Sequence, residues 1–189
     1  KPGFDPAPFV EGIDNSAYQA LLADPDRPLY NRALLGTCPP GSTIKPFMAL
    51  AALQFGAMDP VRQLYCNGTY YLPGSTHKYR CWRRRGHGPL NMEQAIARSC
   101  DIYFYQVAQA IGIDHIDELL SQFGYGEATG IDIPNEKAGL LPSREWKRRY
   151  RHEIWYPGET LIVGIGQGYW QVTPIQLAQA TARLAIHGA

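Results

Sequence analysis

Ser42 and Lys45 lie three positions apart, directly after the run Pro39-Pro40-Gly41. That run is a strong turn signal. Apolar residues at helical spacing follow it, at Phe47, Leu50, Ala51 and Leu53, with Pro46 in the first turn where a missing N–H does no harm. Residues three apart face the same side of a helix, so the two side chains are expected to touch. A serine hydroxyl becomes a nucleophile only beside a base, and a desolvated lysine amine can serve as one. The head of the helix adds N–H donors and the positive end of its dipole, suited to a developing oxyanion. The bland reading is a serine N-cap with an exposed lysine one turn on. With six serines and five lysines among 189 residues, a Ser-x-x-Lys match arises by chance about one time in six.

A second hydroxyl stands in Ser99-Cys100-Asp101, a break between two helical stretches. Ser99 can pass a proton between a base and a leaving group, and Asp101 can contact either partner. The plain alternative is a helix junction at which Ser99 ends one helix and Asp101 caps the next. Three cysteines and a histidine (Cys66, Cys81, His87 and Cys100) lie between the nucleophile motif and the end of this second one. Their types are those of a closed structural zinc site, although the spacing is not that of paired close ligands. A Cys66–Cys81 disulfide and buried free thiols are the competing readings. Cys38, beside the Pro-Pro-Gly turn, reads as structural.

Several elements must position these residues. Residues 1–41, rich in Pro and Gly, read as a segment wrapping a core, with a short helix from Ser16 to Ala23. Residues 56–90 lack helical period and carry Arg80, Arg83, Arg84 and Arg85, the mark of a solvated loop. Helices are expected over 91–98 with Asn91 as N-cap, over Ile102 to Ile111, over about Asp114 to Phe123 ended by Gly124, from Ser143 to Arg151, and from Thr173 to the end of the chain. Leu161 to Gly166 is a β-branched run that reads as a strand or a buried turn. Tyr103, Phe104 and Tyr105 read as core. Gly164 to Gly168 reads as close backbone packing, because no Lys-Ser/Thr follows it as in a phosphate loop. The run from Arg144 to His152 reads as a solvated helix, or as one meeting anionic glycan or lipid headgroups. His77, His115, His152 and His187 join no constellation. The tally is five or six helices and little strand.

Composition narrows the class. Eighteen basic against seventeen acidic residues leave a net charge of +1, which argues against non-specific nucleic-acid binding. Apolar residues make up 45%, enough for a folded core. No apolar run reaches the ~18 residues of a membrane span, and no signal peptide is visible. Any membrane anchor is expected outside these residues.

The blocks Phe4-Asp5-Pro6, Asn31-Arg32-Ala33, Pro39 to Pro46 (PPGSTIKP), Phe123-Gly124-Tyr125-Gly126, Gly130-Ile131-Asp132, Gly164 to Gly168 (GIGQG) and Thr173-Pro174-Ile175-Gln176 occur in this order along the whole chain. In that combination the chain resembles the transpeptidase domain of class B penicillin-binding proteins, most of all the elongation type. The resemblance implies an α+β fold, of which this stretch is the helix-rich part of the penicillin-binding-protein/serine β-lactamase-like transpeptidase architecture with most of the sheet missing. It divides residues 1–189 of a partial transpeptidase domain into a wrapping segment (1–41), the first two motifs (42–101, with a zinc loop at 56–90) and a helical region (102–189). It implies that Ser42 is the nucleophile acylated by peptidoglycan stem peptides and by β-lactams, Lys45 its base and Ser99 the proton relay. Asp101 stands where most of the family has Asn. The resemblance also supports zinc at Cys66, Cys81, His87 and Cys100. It implies a location on the periplasmic face of the bacterial inner membrane, with the elongation machinery's membrane glycosyltransferase and scaffold proteins as partners.

One family motif, Lys-Ser/Thr-Gly, is missing from the sequence. Lys1, Lys45, Lys78, Lys137 and Lys147 are the five lysines, and Lys137-Ala138-Gly139 is the nearest approach. The motif is expected C-terminal to Ala189, and the chain alone is expected to be impaired. The alternatives are a class D-type β-lactamase or β-lactam sensor, and a non-catalytic structural module.

Overall fold

The computed structural model describes residues 3–186. Lys1, His187 and the expected end of the last helix, residues 187–189, lie outside them. Two apolar helices form the centre. α4 (Lys45–Gln54) and α6 (Asp101–Ile111) pack on each other. α6 is also covered by α9 (Pro157–Val163), while α4 meets α7 (Ile113–Gln122). Phe47, Met48, Ala51 and Ala52 of α4 and Phe104, Val107 and Ala108 of α6 are buried to 1% exposure or less. Tyr103 and Tyr105 are core as well, at 1% and 3%. A 3-10 turn, Gly41–Ile44, leads into α4 with Pro46 in its first turn.

Four caps act locally. Asp14 caps α2 (Asn15–Ala23). Asn91 and Gln94 form a capping box on α5 (Met92–Ala97), Ser143 caps α8 (Arg144–Arg151), and Thr173 with Gln176 boxes α10 (Pro174–Ala185). α1 (Ala7–Glu11) and α3 (Arg32–Leu35) are short. The described residues therefore hold more helices than the five or six expected.

Three expectations are corrected. Leu161 to Gly166 is neither strand nor turn throughout. Its first part completes α9, begun by Pro157 and by Glu159 reaching back to the Tyr156 N–H, and the turn comes only after Val163. The wrapping segment closes on the body only from Pro28 onward, because α1 and α2 bury no side chain. α8 is not simply solvated, because Lys147 is buried.

Residues 56–90 are organised as two antiparallel pairs, β1 (Leu64–Cys66) with β4 (Gly88–Leu90) and β2 (Thr69–Tyr70) with β3 (Tyr79–Arg80). The pairs cross tightly at Gly86, whose φ is +75° and where a Cβ would lie 2.1 Å from the Cys66 carbonyl oxygen. Only glycine fits that approach. No described helix is long and apolar enough to cross a membrane.

Candidate active site and metal centre

Ser42 is exposed in the 3-10 turn at the head of α4, and Lys45, one turn on, is 1% exposed. The Lys45 ammonium reaches the junction between α5 and α6. It donates to the Ser99 carbonyl at 2.9 Å, to Ser99 Oγ at 2.9 Å and to Asp101 Oδ1 at 2.7 Å. Three acceptors match the three donors of an ammonium. The Ser99 hydroxyl in turn donates to Ser42 Oγ at 2.7 Å. The direct Ser42–Lys45 hydrogen bond expected from the spacing is not among those of the described residues. Ser99 stands between the two side chains, and the result is one line: Ser42, Ser99, Lys45, Asp101.

The junction that presents Ser99 has an identifiable cause. α5 ends in a Schellman motif, in which the Ser99 N–H bonds to Ile96 O and the Cys100 N–H to Ala95 O. This motif needs a left-handed residue and usually takes glycine. Here Ser99 fills the position at φ +50°, at a cost of about 1–3 kcal/mol. The strained backbone turns the hydroxyl toward Ser42 and the carbonyl toward Lys45. Asp101 does not cap α6 with its side chain, and Cys100 occupies the N-cap position. The Asp101 carboxylate is used elsewhere: Oδ1 holds Lys45, and Oδ2 accepts the Trp82 backbone N–H at 2.9 Å.

Trp82 was not singled out by sequence, although its place directly after Cys81 was a signal. Its indole N–H donates to the carbonyls of Ser99 at 3.0 Å and Arg98 at 3.2 Å, while its side chain stays 64% exposed. Trp82 therefore links the 56–90 loop to both Ser99 and Asp101.

Cys66, Cys81, His87 and Cys100 come together, with one ligand atom from each all within 4.8 Å of one another. The two hairpins cause this. Pairing of Cys66 with Gly88 brings His87 beside it, and the Cys81 N–H bonds to Gly68 O. His87 Nδ1 lies 3.6 Å from the sulfurs of both Cys66 and Cys81. Tetrahedral zinc, with bonds of about 2.3 Å to sulfur and 2.0–2.1 Å to nitrogen, requires about 3.5 Å between such atoms. Hydrogen bonding from Cys100 pulls the Cys81 thiol down to about 5, while the same contact and burial push Cys100 up. His87 Nε2 is buried with no hydrogen-bond partner, so Nδ1 carries the ring's interactions. The donor set fits a closed four-coordinate zinc site. All four cysteines are free thiols, so the Cys66–Cys81 disulfide is not formed. The Cys38 thiol is exposed, and its structural part is a backbone bridge with Val172.

Comparison with known proteins gives one answer. The family model for the penicillin binding protein transpeptidase domain matches residues 1–189. The peptidoglycan D,D-transpeptidase MrdA of Salmonella typhimurium is 50% identical over 187 residues, covering 99% of this chain and 30% of the relative. The Escherichia coli K12 protein of that name is 48% identical over 179 residues, covering 95% of this chain and 28% of its own length. The chain thus spans less than a third of the curated relatives it matches. Among solved structures, Pseudomonas aeruginosa PBP2 in complex with WCK 5153 superposes with a TM-score of 0.93 at 54% identity, covering 98% of this chain and 42% of that one. The neighbours confirm the α+β transpeptidase fold expected from the sequence, here in its helix-rich part. By its family match, its identity to MrdA and its superposition on PBP2, the chain belongs to the penicillin-binding protein transpeptidase family.

Proposed function

We propose that these residues form the acyl-transfer centre of a peptidoglycan D,D-transpeptidase that works through an acyl-serine. The observation that carries this reading is the hydrogen-bonded line from exposed Ser42 through Ser99 to buried Lys45. Acting as a base requires Lys45 in its amine form. Asp101 and the Ser99 carbonyl then satisfy its two N–H donors, and its lone pair accepts from the Ser99 hydroxyl. Ser42 Oγ attacks the carbonyl of the penultimate D-Ala, its proton moves to Ser99 Oγ, and the Ser99 proton moves to Lys45. The Oγ–C bond forms and the C–N bond to the terminal D-Ala breaks. The proton then passes from Lys45 through the Ser99 hydroxyl to the leaving amine. A neighbouring stem's amine then attacks the ester, forms the cross-link and frees Ser42. The helix head beside Ser42 supplies N–H donors toward the developing oxyanion.

Zinc at Cys66, Cys81, His87 and Cys100 is the second part of this reading. Its chemistry there is structural. Cys100 adjoins Ser99 and Asp101, and Cys81 adjoins Trp82, so bound zinc would steady the loop that places the relay serine and the Asp101 carboxylate that holds Lys45. β-Lactams, as mimics of the D-Ala-D-Ala end, acylate Ser42. A Helicobacter pylori PBP2 has been solved in complex with MreC, and another matching chain in a peptidoglycan synthase complex. The same kinds of partner, a scaffold and a membrane glycosyltransferase, are proposed here, at the periplasmic face of the inner membrane.

Intact-mass spectrometry with a penicillin tests the reading. The measurement uses a polypeptide that carries these 189 residues joined to a Lys-Ser/Thr-Gly strand. A lasting adduct, lost in Ser42→Ala, is the expected result. Rapid turnover of the adduct indicates a β-lactamase instead, and no adduct indicates a non-catalytic module.

A further inference from the structure

Two of the acceptors that hold Lys45 are each held a second time, and by one residue. The Ser99 carbonyl accepts from Lys45 at 2.9 Å and from the Trp82 indole N–H at 3.0 Å. The Asp101 carboxylate accepts from Lys45 on Oδ1 at 2.7 Å and from the Trp82 backbone N–H on Oδ2 at 2.9 Å. The third partner of Lys45, Ser99 Oγ, is the one that bonds onward to Ser42. Trp82 thus braces both groups that place the lysine, and the relay hydroxyl stays free to pass protons.

The fold gives a reason for each bond. Arg98 and Ser99 follow α5, where the last carbonyls meet no N–H within the helix. The indole N–H, which also reaches Arg98 O at 3.2 Å, supplies a donor there. It acts on a strained residue. Ser99 keeps φ +50° without being glycine, and a backbone rotation that relieved this strain would move its hydroxyl and carbonyl together. Trp82 is itself placed by the loop. The Cys81 N–H before it is bonded to Gly68 O, and its ring meets the His87 ring edge-on with centroids 5.3 Å apart.

Lys45 alone cannot hold these groups equally through a reaction cycle. Its bond to the Ser99 carbonyl is charge-assisted while it is an ammonium, and about half as strong once it is the amine that acts as base. Its attraction to Asp101 weakens at the same moment. The indole and peptide N–H groups of Trp82 keep their protons throughout, so their hold is the same in both states of the lysine. We propose that Trp82 is a positioning residue for acyl transfer, whose two N–H groups keep the Ser99 carbonyl and the Asp101 carboxylate in place while Lys45 is the uncharged base. This rests on the transpeptidase reading and deepens it, by assigning the residue that steadies the relay from outside the reacting atoms.

Stopped-flow acylation by a fluorescent penicillin tests it, on the polypeptide that carries these residues joined to a Lys-Ser/Thr-Gly strand. Varying the penicillin concentration separates the limiting acylation rate from the half-saturating concentration. Benzothienylalanine in place of Trp82 keeps the ring shape and the backbone N–H but puts sulfur where the indole N–H was. It should lower the limiting rate about tenfold, with the half-saturating concentration and the melting temperature unchanged. Trp82→Phe should lower the rate at least as far. A ring-fluorinated tryptophan at the same position, which keeps the N–H, should restore the wild-type rate. An unchanged rate with benzothienylalanine overturns the proposal. So does a higher half-saturating concentration at unchanged rate, the mark of a ligand contact. So does a slow benzothienylalanine variant whose melting temperature falls with its rate, the mark of a structural role alone. Wild type that forms no adduct ends the transpeptidase reading and this inference with it, whereas a benzothienylalanine variant acylated at the wild-type rate ends this inference alone.

Discussion

Lys45 and Lys147 are both 1% exposed, and each is held by a carboxylate. Their surroundings differ in what the network reaches. Lys147 is enclosed by Glu159 at 2.6 Å, by Glu153 at 3.3 Å and by the rings of Tyr156 and Tyr169. Burial alone would pull its pKa down, but the hydrogen bonds it donates to the two glutamates outweigh that and leave it raised. Lys45 has one carboxylate and two acceptors from a single serine, and that serine bonds onward to an exposed hydroxyl. A buried lysine therefore does not mark a reaction centre. On the reading proposed above, what distinguishes Lys45 is its hydroxyl path to exposed Ser42.

The comparison can be broken in several ways. Ser42→Ala should abolish the penicillin adduct completely by intact mass. Lys45→Met should slow acylation about 10²–10⁴-fold, read by stopped-flow with a fluorescent penicillin, and an equal effect from Lys147→Met would erase the distinction. Removing zinc should slow acylation about 10–100-fold, because it releases the loop that holds Asp101 against Lys45 and leaves Glu153 and Glu159 untouched. Metal analysis after dialysis should find about one zinc per chain. Protons compete with metal for thiolates, so zinc should be kept at neutral pH and released as the pH is lowered, read by metal analysis across an acid series.

Smaller effects sharpen the same contrast. Gly166→Ala places a side chain at φ +72° with its Cβ 2.2 Å from the Gly41 carbonyl oxygen. It should destabilise by about 2–4 kcal/mol in denaturant melts and slow acylation through the Ser42 loop. Lys147→Met should lower the melting temperature with the smallest change in acylation. Because the Lys147 pKa is raised in the fold, its contribution is present at neutral pH and lost only as pH rises past 10.5 through that raised value. A melting-temperature difference between wild type and Lys147→Met that narrows only in alkali would confirm the sign.

Much of this was legible in the sequence where the cause is local. Asn91, Ser143 and Thr173 each cap the helix they announce, because the bond they make lies within one turn. α9 was missed because β-branched residues outweighed Pro157 and Glu159, which form its true start. The burial of Lys147 was hidden inside a basic run, and its glutamates lie six and twelve residues away.

Residue types and order were enough to name the chemistry: a hydroxyl and an amine one turn apart, a second hydroxyl at a helix break, and four soft metal donors. Their assembly was decided only in three dimensions. Ser42 and Ser99 are 57 residues apart in sequence, and the hydrogen bonds run from Lys45 to Ser99 and from Ser99 to Ser42. Helix periodicity governs neighbours within a turn, whereas the packing of α4 against α6 and the left-handed turn at Ser99 set where side chains from distant segments meet.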